Sequence, residues 1–258
     1  MKNLLDTCLL IFLISSISTI CSADNINFEG SSTIGKFITD AAKLYTASTI
    51  EINTDTESLG GLRCANRGSC ELGGVASNIT AADQKNIASF LIGHDAIAIV
   101  VNKRNKLDNL TRQQIKDLFS GKIRNWSELG GNNWPVSVYT VQDSSATRHV
   151  FKNKIMPNSD YAGTTVVAPD RRIISKVVHD WGGIGQISFA FLHNQKGIKA
   201  LAIDGQSGSV NNPNYPITRP LYLVTHGQPI AKVKKFINWT LSAQGQQVIN
   251  KKFVGIKK

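Results

Sequence analysis

The 258-residue sequence predicts an α/β protein with a largely parallel sheet, and two observations lead to this fold class. Short apolar runs that resemble strands alternate with segments of helical periodicity, which is the pattern of helices layered on a mostly parallel sheet. The composition is that of a globular protein, with 41% hydrophobic and 18% charged residues, so a sizeable core can form. The length allows one large domain or two domains of about 110 residues.

The clearest strand and helix are consecutive. Residues 94–102, "HDAIAIVVN", predict a buried strand that ends in a polar turn. A helix follows, with Thr111 as its N-cap and Gln114 three residues later, as in a capping box. Gly121 is predicted to end this helix.

The remaining segments continue the alternation to the end of the chain. Strands are predicted at 135–141, 182–192 and 219–225. Helices are predicted at 144–155 and 171–180, and a long helical period occupies 230–252.

The amino terminus predicts export. In residues 1–23 Lys2 precedes a long apolar run that ends in small residues, which is typical of a secretory signal peptide cleaved near Ala23. The run is slightly short for a membrane span. A lipid anchor on Cys21 is disfavoured because Ile20 is bulky where such sites need a small residue. We therefore expect a periplasmic or secreted protein.

Cleavage of this leader would leave two cysteines, Cys64 and Cys70. In an exported protein, two cysteines separated by five residues predict one small disulfide loop. The alternative is two free thiols, which an oxidising compartment disfavours. A metal site would need more ligands than this region offers, so none is predicted.

The formal net charge of +11 favours an anionic partner, which could be a small anion, an acidic surface or nucleic acid. The lysines and arginines are scattered rather than clustered in a stripe, and few aromatic residues lie among them. Nucleic-acid binding is therefore not expected. The chain also has no GxSxG elbow, no HExxH and no Walker A loop, and its five histidines are dispersed. We predict no catalytic residues, no enzymatic activity and no cofactor.

Four short stretches share one chemistry, because each places hydroxyl or amide groups next to glycines or at the start of a helix. A helix N-terminus presents free N–H groups and a partial positive charge, and glycines permit close backbone approach. Any one of these stretches is more often a plain cap or turn, but four together favour one anion site. Their polar residues are Ser31, Ser32, Thr33, Ser58, Ser77, Asn78, Ser145 and Thr147.

Three longer blocks, "LTRQQIKDLFSGKIRNWSELGG", "NPNYPITRPLYLV" and "FINWTLSAQGQQVI", resemble the phosphate-binding proteins of bacterial phosphate ABC transporters. The resemblance covers nearly all of the chain after the leader. It implies the type II periplasmic-binding-protein fold, with two α/β lobes and the ligand in the cleft between them. Lobe 1 would comprise 24–98 plus 220–258, and lobe 2 would comprise 99–219. We then expect a monomer that captures phosphate or a similar oxyanion for an ABC permease.

The resemblance also implies roles for individual residues. Ser32, Thr33 and Ser58 match family donors, and Ser145, Ala146 and Thr147 match the "SGT" at the start of a helix in the second lobe. Asn78 stands where many members carry a charged residue.

Two departures bear on which anion is bound. Val141 stands where many phosphate binders have an arginine, and Arg148 could supply part of that charge. The neutral Asn78 is expected to relax discrimination between phosphate and sulfate. An alternative interpretation keeps the fold but replaces transport with a secreted phosphatase-like, adhesion or polyanion-binding role.

Overall fold

The computed structural model describes residues 24–256, so the predicted leader, with its cleavage site near Ala23, lies outside the described residues. Within this range the structure alternates strands and helices along the chain. The strands are β1 Asp24–Gly30, β2 Ser48–Asn53, β3 Leu72–Val75, β4 Ile87–Asn102, β5 Asn109–Leu110, β6 Ser137–Val141, β7 Thr164–Val167, β8 Gly183–Ser188, β9 Ile198–Ala200, β10 Ala202–Ile203, β11 Thr218–His226 and β12 Val254–Gly255. The helices are α1 Ser32–Ala41, α2 Glu57–Arg67, α3 Arg112–Phe119, α4 Ala146–Ile155, α5 Arg172–Val178, α6 Ala231–Leu241 and α7 Ala243–Ile249.

The main sheet runs through two lobes in the order β2-β1-β3-β11-β4-β8-β6-β7. In the first lobe β1 pairs in parallel with β2 and β3, and in the second lobe β6 pairs in parallel with β7 and β8. The long strands β4 and β11 lie between these groups and are antiparallel to each other. The α/β class and the parallel lobes are confirmed, and the antiparallel centre is an addition to the prediction.

Strand β4 is long enough to serve both lobes. Its first part, 87–96, pairs with β11, and its last part, 97–102, pairs with β8 and β9. The apolar run at 96–101 is fully buried, which explains why this segment was recognisable as a strand. The division of the lobes at 98/99 and 219/220 stays a prediction.

Each lobe has its own apolar core. In the first lobe Phe37 of α1 and Phe236 of α6 are fully buried, with ring centroids 6.5 Å apart. In the second lobe Phe119 of α3 packs against Phe151 of α4, with ring centroids 4.5 Å apart. Trp126 is fully buried there, and its indole N–H donates to the Gly182 carbonyl over 2.9 Å. Burial of these apolar side chains drives each lobe to fold.

The predicted helix ends are confirmed at α3. Thr111 accepts from the Gln114 amide at 3.1 Å, and the Gln114 side chain accepts from the Thr111 amide at 2.8 Å. The helix ends before Gly121, whose φ of +72° is unfavourable for other residues.

The long helical period at 230–252 is shared by two helices, α6 and α7. Ser242 separates them with an extended backbone, at φ −75° and ψ 168°, and its hydroxyl accepts from the Gly245 amide. The apolar period continues across the break because both helices cover the same core, which periodicity alone could not show.

The predicted disulfide is confirmed between Cys64 on α2 and Cys70, two residues before β3. No helix within residues 24–256 has the length and apolar character needed to cross a membrane.

Candidate functional site

Close backbone packing sets the position of helix α2 against the first lobe. A Cβ on Gly61 would lie 2.5 Å from the Gly74 carbonyl oxygen, and one on Gly30 would lie 2.4 Å from the same atom. Only glycine permits this approach. Gly61 of "ESLGG" therefore holds the first turns of α2 close to Gly30, which directly precedes the N-cap of α1.

The first wall of the candidate site is the N-terminus of α1. Ser31 is the N-cap, and its hydroxyl accepts from the Ile34 amide. The Ser32 amide donates to Oε2 of Glu57 over 3.0 Å, and this bond is buried. Thr33 lies in the same first turn, where backbone amides have no intrahelical partner. Glu57 reaches this position from the start of α2 with φ at +54°, a conformation that costs most residues free energy.

The second wall is the N-terminus of α4 in the other lobe. Ser145 is the N-cap, and its hydroxyl accepts from the Thr147 amide at 3.2 Å. The same hydroxyl donates to Oδ2 of Asp170 over 2.7 Å. Asp170 comes from the loop between β7 and α5, and it is fully buried.

Arg219 joins the two walls. It lies on β11 directly opposite Asp95 on β4, and the two side chains form an ion pair with an N–O distance of 2.9 Å. The other guanidinium contacts are to hydroxyls, with Nη1 donating to Thr147 over 3.1 Å and Nη2 donating to Thr33 over 2.9 Å. Arg219 is only 2% exposed, so these interactions form in a low-dielectric environment. One guanidinium thus contacts both lobes.

Two further carboxyl groups belong to the cluster. Burial, together with the nearby charge of Asp170, raises the pKa of Glu57 to about 8. Burial also raises the pKa of Asp170, and the hydrogen bond from Ser145 opposes that shift. The second oxygen of each, Glu57 Oε1 and Asp170 Oδ1, has no hydrogen-bond partner among the described residues. Such buried oxygens are costly unless a ligand or a proton satisfies them.

The other predicted residues form an outer zone. Ser58, Ser77, Asn78 and Ala146 line a cavity of about 430 Å³ that extends outward from Arg219 between the lobes. The Ser58 hydroxyl accepts from the Ala76 amide over 3.2 Å. The structure therefore places five predicted residues in a buried inner cluster and four around the cavity. The inner five are Ser31, Ser32, Thr33, Ser145 and Thr147.

Arg148 is not brought to this site. Its guanidinium pairs with Asp143 at 2.6 Å, donates to Thr140 and the Val141 carbonyl, and lies over the ring of Tyr161. The helical geometry of α4 turns it away from Thr147 and toward its own lobe. The Val141 side chain is fully buried in an apolar cluster, so the cationic group of the site comes from Arg219 instead.

Sequence reasoning did not assign a role to Arg219, Asp95, Glu57 or Asp170. Charged residues at the edge of apolar strands were a usable signal for Arg219 and Asp95, because such residues are rarely buried without a partner. For Glu57 and Asp170 the signal was weaker, since both occur in polar stretches. Among residues 24–256 no group of three or more histidine, cysteine or acidic residues is arranged to hold a metal ion.

Comparisons with known proteins agree with this architecture. The family model described as a PBP superfamily domain matches residues 18–244. The phosphate-binding protein PstS of Bacillus subtilis (strain 168) is 25% identical over 240 residues, which cover 88% of this chain and 79% of that protein.

Solved structures give the same result. A Clostridium perfringens protein, described as a phosphate ABC transporter substrate-binding protein with bound phosphate, superimposes with a TM-score of 0.85 at 28% identity, covering 91% of this chain and 100% of its own. An ABC-type phosphate transport receptor from Vibrio cholerae gives a TM-score of 0.73 at 24% identity, with coverage of 90% and 100%. The chain therefore belongs to the PBP superfamily of two-lobed binding proteins.

Proposed function

We propose that this protein binds a phosphate ion between its lobes and delivers it to an ABC permease. The observation that carries the proposal is the position of Arg219, whose guanidinium contacts Thr33 of one lobe and Thr147 of the other. Helix N-termini flank it on both sides, so hydroxyl, amide and guanidinium donors converge. This donor set suits a compact oxyanion.

Binding would couple to closure of the lobes. Thr33 and Thr147 belong to different lobes, so an anion can contact both only when the lobes are together. The ligand then has a higher affinity for the closed state, and this difference shifts the population toward closure. A permease that recognises the closed form would receive only loaded protein.

The acidic groups favour phosphate over a fully ionised anion. With a pKa of about 8, the Glu57 carboxyl is mostly protonated at pH 7 and can donate a hydrogen bond instead of repelling the ligand. The second oxygen of Asp170, Oδ1, has no hydrogen-bond partner among the described residues and can accept the proton that hydrogen phosphate carries and sulfate lacks. These groups belong to the inner cluster, whereas the neutral Asn78 lines the outer cavity. We therefore propose that phosphate binds more tightly than sulfate.

The similarity to phosphate-transport proteins also supports binding without catalysis by an exported protein. The B. subtilis and V. cholerae relatives are described as a phosphate-binding protein and a phosphate transport receptor, neither of which is an enzyme name. We propose binding without catalysis, by a monomer exported through the leader and cleaved near Ala23. N-terminal sequencing of the exported protein would test the cleavage position.

Isothermal titration of phosphate-free protein with phosphate and sulfate tests the function. We expect saturable phosphate binding at one site and weaker sulfate binding. Phosphate at one hundred times its Kd should stabilise the fold by about 2.7 kcal/mol, which a thermal shift will detect. If neither anion produces heat or a thermal shift, the proposal is refuted. Turnover of a chromogenic phosphate ester would favour the phosphatase-like alternative, and steeply salt-dependent polyanion binding would favour the adhesion-type alternative.

A further inference from the structure

The cavity next to the inner cluster is much larger than a phosphate ion requires. Its volume of about 430 Å³ lies in the range of small-molecule sites. A phosphate ion has only five heavy atoms, so most of this space would remain unused by the ion.

The cavity persists although the lobes already touch beside it. The Leu59 amide of the first lobe donates to the Ser144 carbonyl of the second lobe over 3.1 Å. Nearby, the Gln142 side chain donates to the Asp55 carbonyl over 3.3 Å. Direct contacts at this distance leave little room for further approach of the lobes here. The space is thus a feature of the closed arrangement.

The lining changes in character from the inner end to the mouth. Ser58 and Arg219 line the inner end, so the cavity adjoins the donor cluster. Leu62 of α2 and Val150 of α4 contribute apolar surface from opposite lobes. Lys154, an exposed residue at the end of α4, also lines the cavity and places a positive charge near the mouth. This sequence of groups matches a ligand with a phosphate, a short carbon chain and a second polar or anionic group.

We propose, building on the proposed phosphate site, that the preferred ligand is a small phosphomonoester. Its phosphate group occupies the inner cluster around Arg219, and its organic group occupies the cavity between α2 and α4. A carboxylate group of the ligand faces Lys154. Inorganic phosphate then binds the same inner cluster with fewer contacts.

Titration of the phosphate-free protein with inorganic phosphate, glycerol 3-phosphate and 3-phosphoglycerate tests this inference. We expect both esters to bind at least tenfold more tightly than phosphate, and 3-phosphoglycerate to bind most tightly. Phosphate binding with equal or weaker ester binding would overturn the inference and leave the proposed function intact. Failure of all three ligands to bind would overturn both.

Two lysines on one helix provide a matched pair of variants. Lys154→Ala should weaken 3-phosphoglycerate binding about fivefold and leave phosphate and glycerol 3-phosphate within twofold. Lys152→Ala is the control, because Lys152 pairs with the exposed Asp160 and does not line the cavity. Equal losses in the two variants would contradict the proposed ligand orientation.

A larger side chain in the cavity gives an independent test. Leu62→Trp should weaken both esters at least tenfold while phosphate affinity stays within twofold, because the inner cluster is unaltered. A circular dichroism spectrum and melting curve would check that the variant folds. If phosphate and the esters lose affinity equally, the cavity does not hold the organic group. If Leu62→Trp does not fold, the comparison of Lys154→Ala with Lys152→Ala still tests the proposed ligand.

Discussion

The two walls of the cleft follow one plan but use their carboxyl groups differently. Each wall is a helix N-terminus with a serine N-cap and a threonine that contacts Arg219. In the first lobe Glu57 accepts from a backbone amide of α1, at Ser32. In the second lobe Asp170 accepts from the hydroxyl of the N-cap residue itself, Ser145.

This difference separates two roles for an acidic group beside an anion site. Glu57 occupies a helix amide that an anion would use, and it does so from a strained backbone conformation. Asp170 instead braces a cap whose hydroxyl also serves the Thr147 amide. We infer that Glu57 competes with the ligand when it is ionised, whereas Asp170 positions the second wall through one oxygen and leaves the other for the proton of hydrogen phosphate.

Arg219 is common to both walls, so its replacement should have the largest effect. Arg219→Lys retains a positive charge for Asp95 but loses the fork that reaches both threonines. We expect phosphate affinity to fall about 100-fold, equivalent to about 2.7 kcal/mol. Calorimetric titration measures the loss. The control is Arg63→Lys on the exposed face of α2, which should leave affinity unchanged. Near-normal phosphate affinity in Arg219→Lys would show that Arg219 does not contribute to the phosphate site.

The pH dependence of binding should separate Glu57 from Asp170. Ionisation of Glu57 above a pKa of about 8 places a negative charge beside the bound anion. Between pH 7 and pH 9 the wild-type protein should lose about tenfold more phosphate affinity than Glu57→Gln, by linkage. The comparison at each pH cancels the titration of phosphate itself. Asp170→Asn is the matched variant and should retain most of the wild-type decline. Identical profiles for wild type and Glu57→Gln would exclude competition by Glu57.

The same group predicts a pH-dependent stability with a defined sign. The pKa of Glu57 rises from 4.5 to about 8 on folding, so the folded state retains a proton that the unfolded state has lost. This contribution is complete below pH 4.5 and is lost as the pH rises through 8. Chemical denaturation should show Glu57→Gln gaining roughly 4 kcal/mol relative to wild type between pH 5 and pH 9. A constant difference between the two proteins would contradict the raised pKa.

The sequence predicted the hydroxyl groups of both walls but not the charges between them. Ser32, Thr33, Ser145 and Thr147 were recognisable because helix starts have local signals, such as a serine before an apolar period. The pairing of Arg219 with Asp95 depends on the register of two strands 124 residues apart, which no local pattern encodes. The positive φ of Glu57 is equally invisible, because residues in that conformation are usually glycine. The lobes were predictable from alternation and family resemblance, whereas the electrostatics required the packed structure.

The threonine pair tests whether the two walls contribute equally to binding. Thr33→Val and Thr147→Val each remove one hydroxyl from Arg219 with little change in shape. A hydrogen bond to a charged group contributes about 1.5 kcal/mol, but Arg219 can redirect its donors to the ligand, so we expect about a fivefold loss of phosphate affinity in each case. Thr165→Val on the exposed face of β7 is the control. The double variant, measured by titration, should lose more than the product of the single effects if the bound anion connects the walls. Strict additivity would mean that the walls act independently.

The smallest effect on affinity should come from the disulfide, which braces only the first wall. Cys64 lies on α2, the helix that begins with Glu57, and the chain has no cysteine after Cys70. Replacing both cysteines by serine should lower the free energy of unfolding by about 2 kcal/mol, from the loop-entropy model. Phosphate affinity should change by less than twofold, because the glycine contacts at Gly61 and Gly74 still fix the start of α2. Denaturation and titration of the same sample measure both quantities. A large affinity loss at unchanged stability would show that the disulfide, rather than glycine packing, positions Glu57.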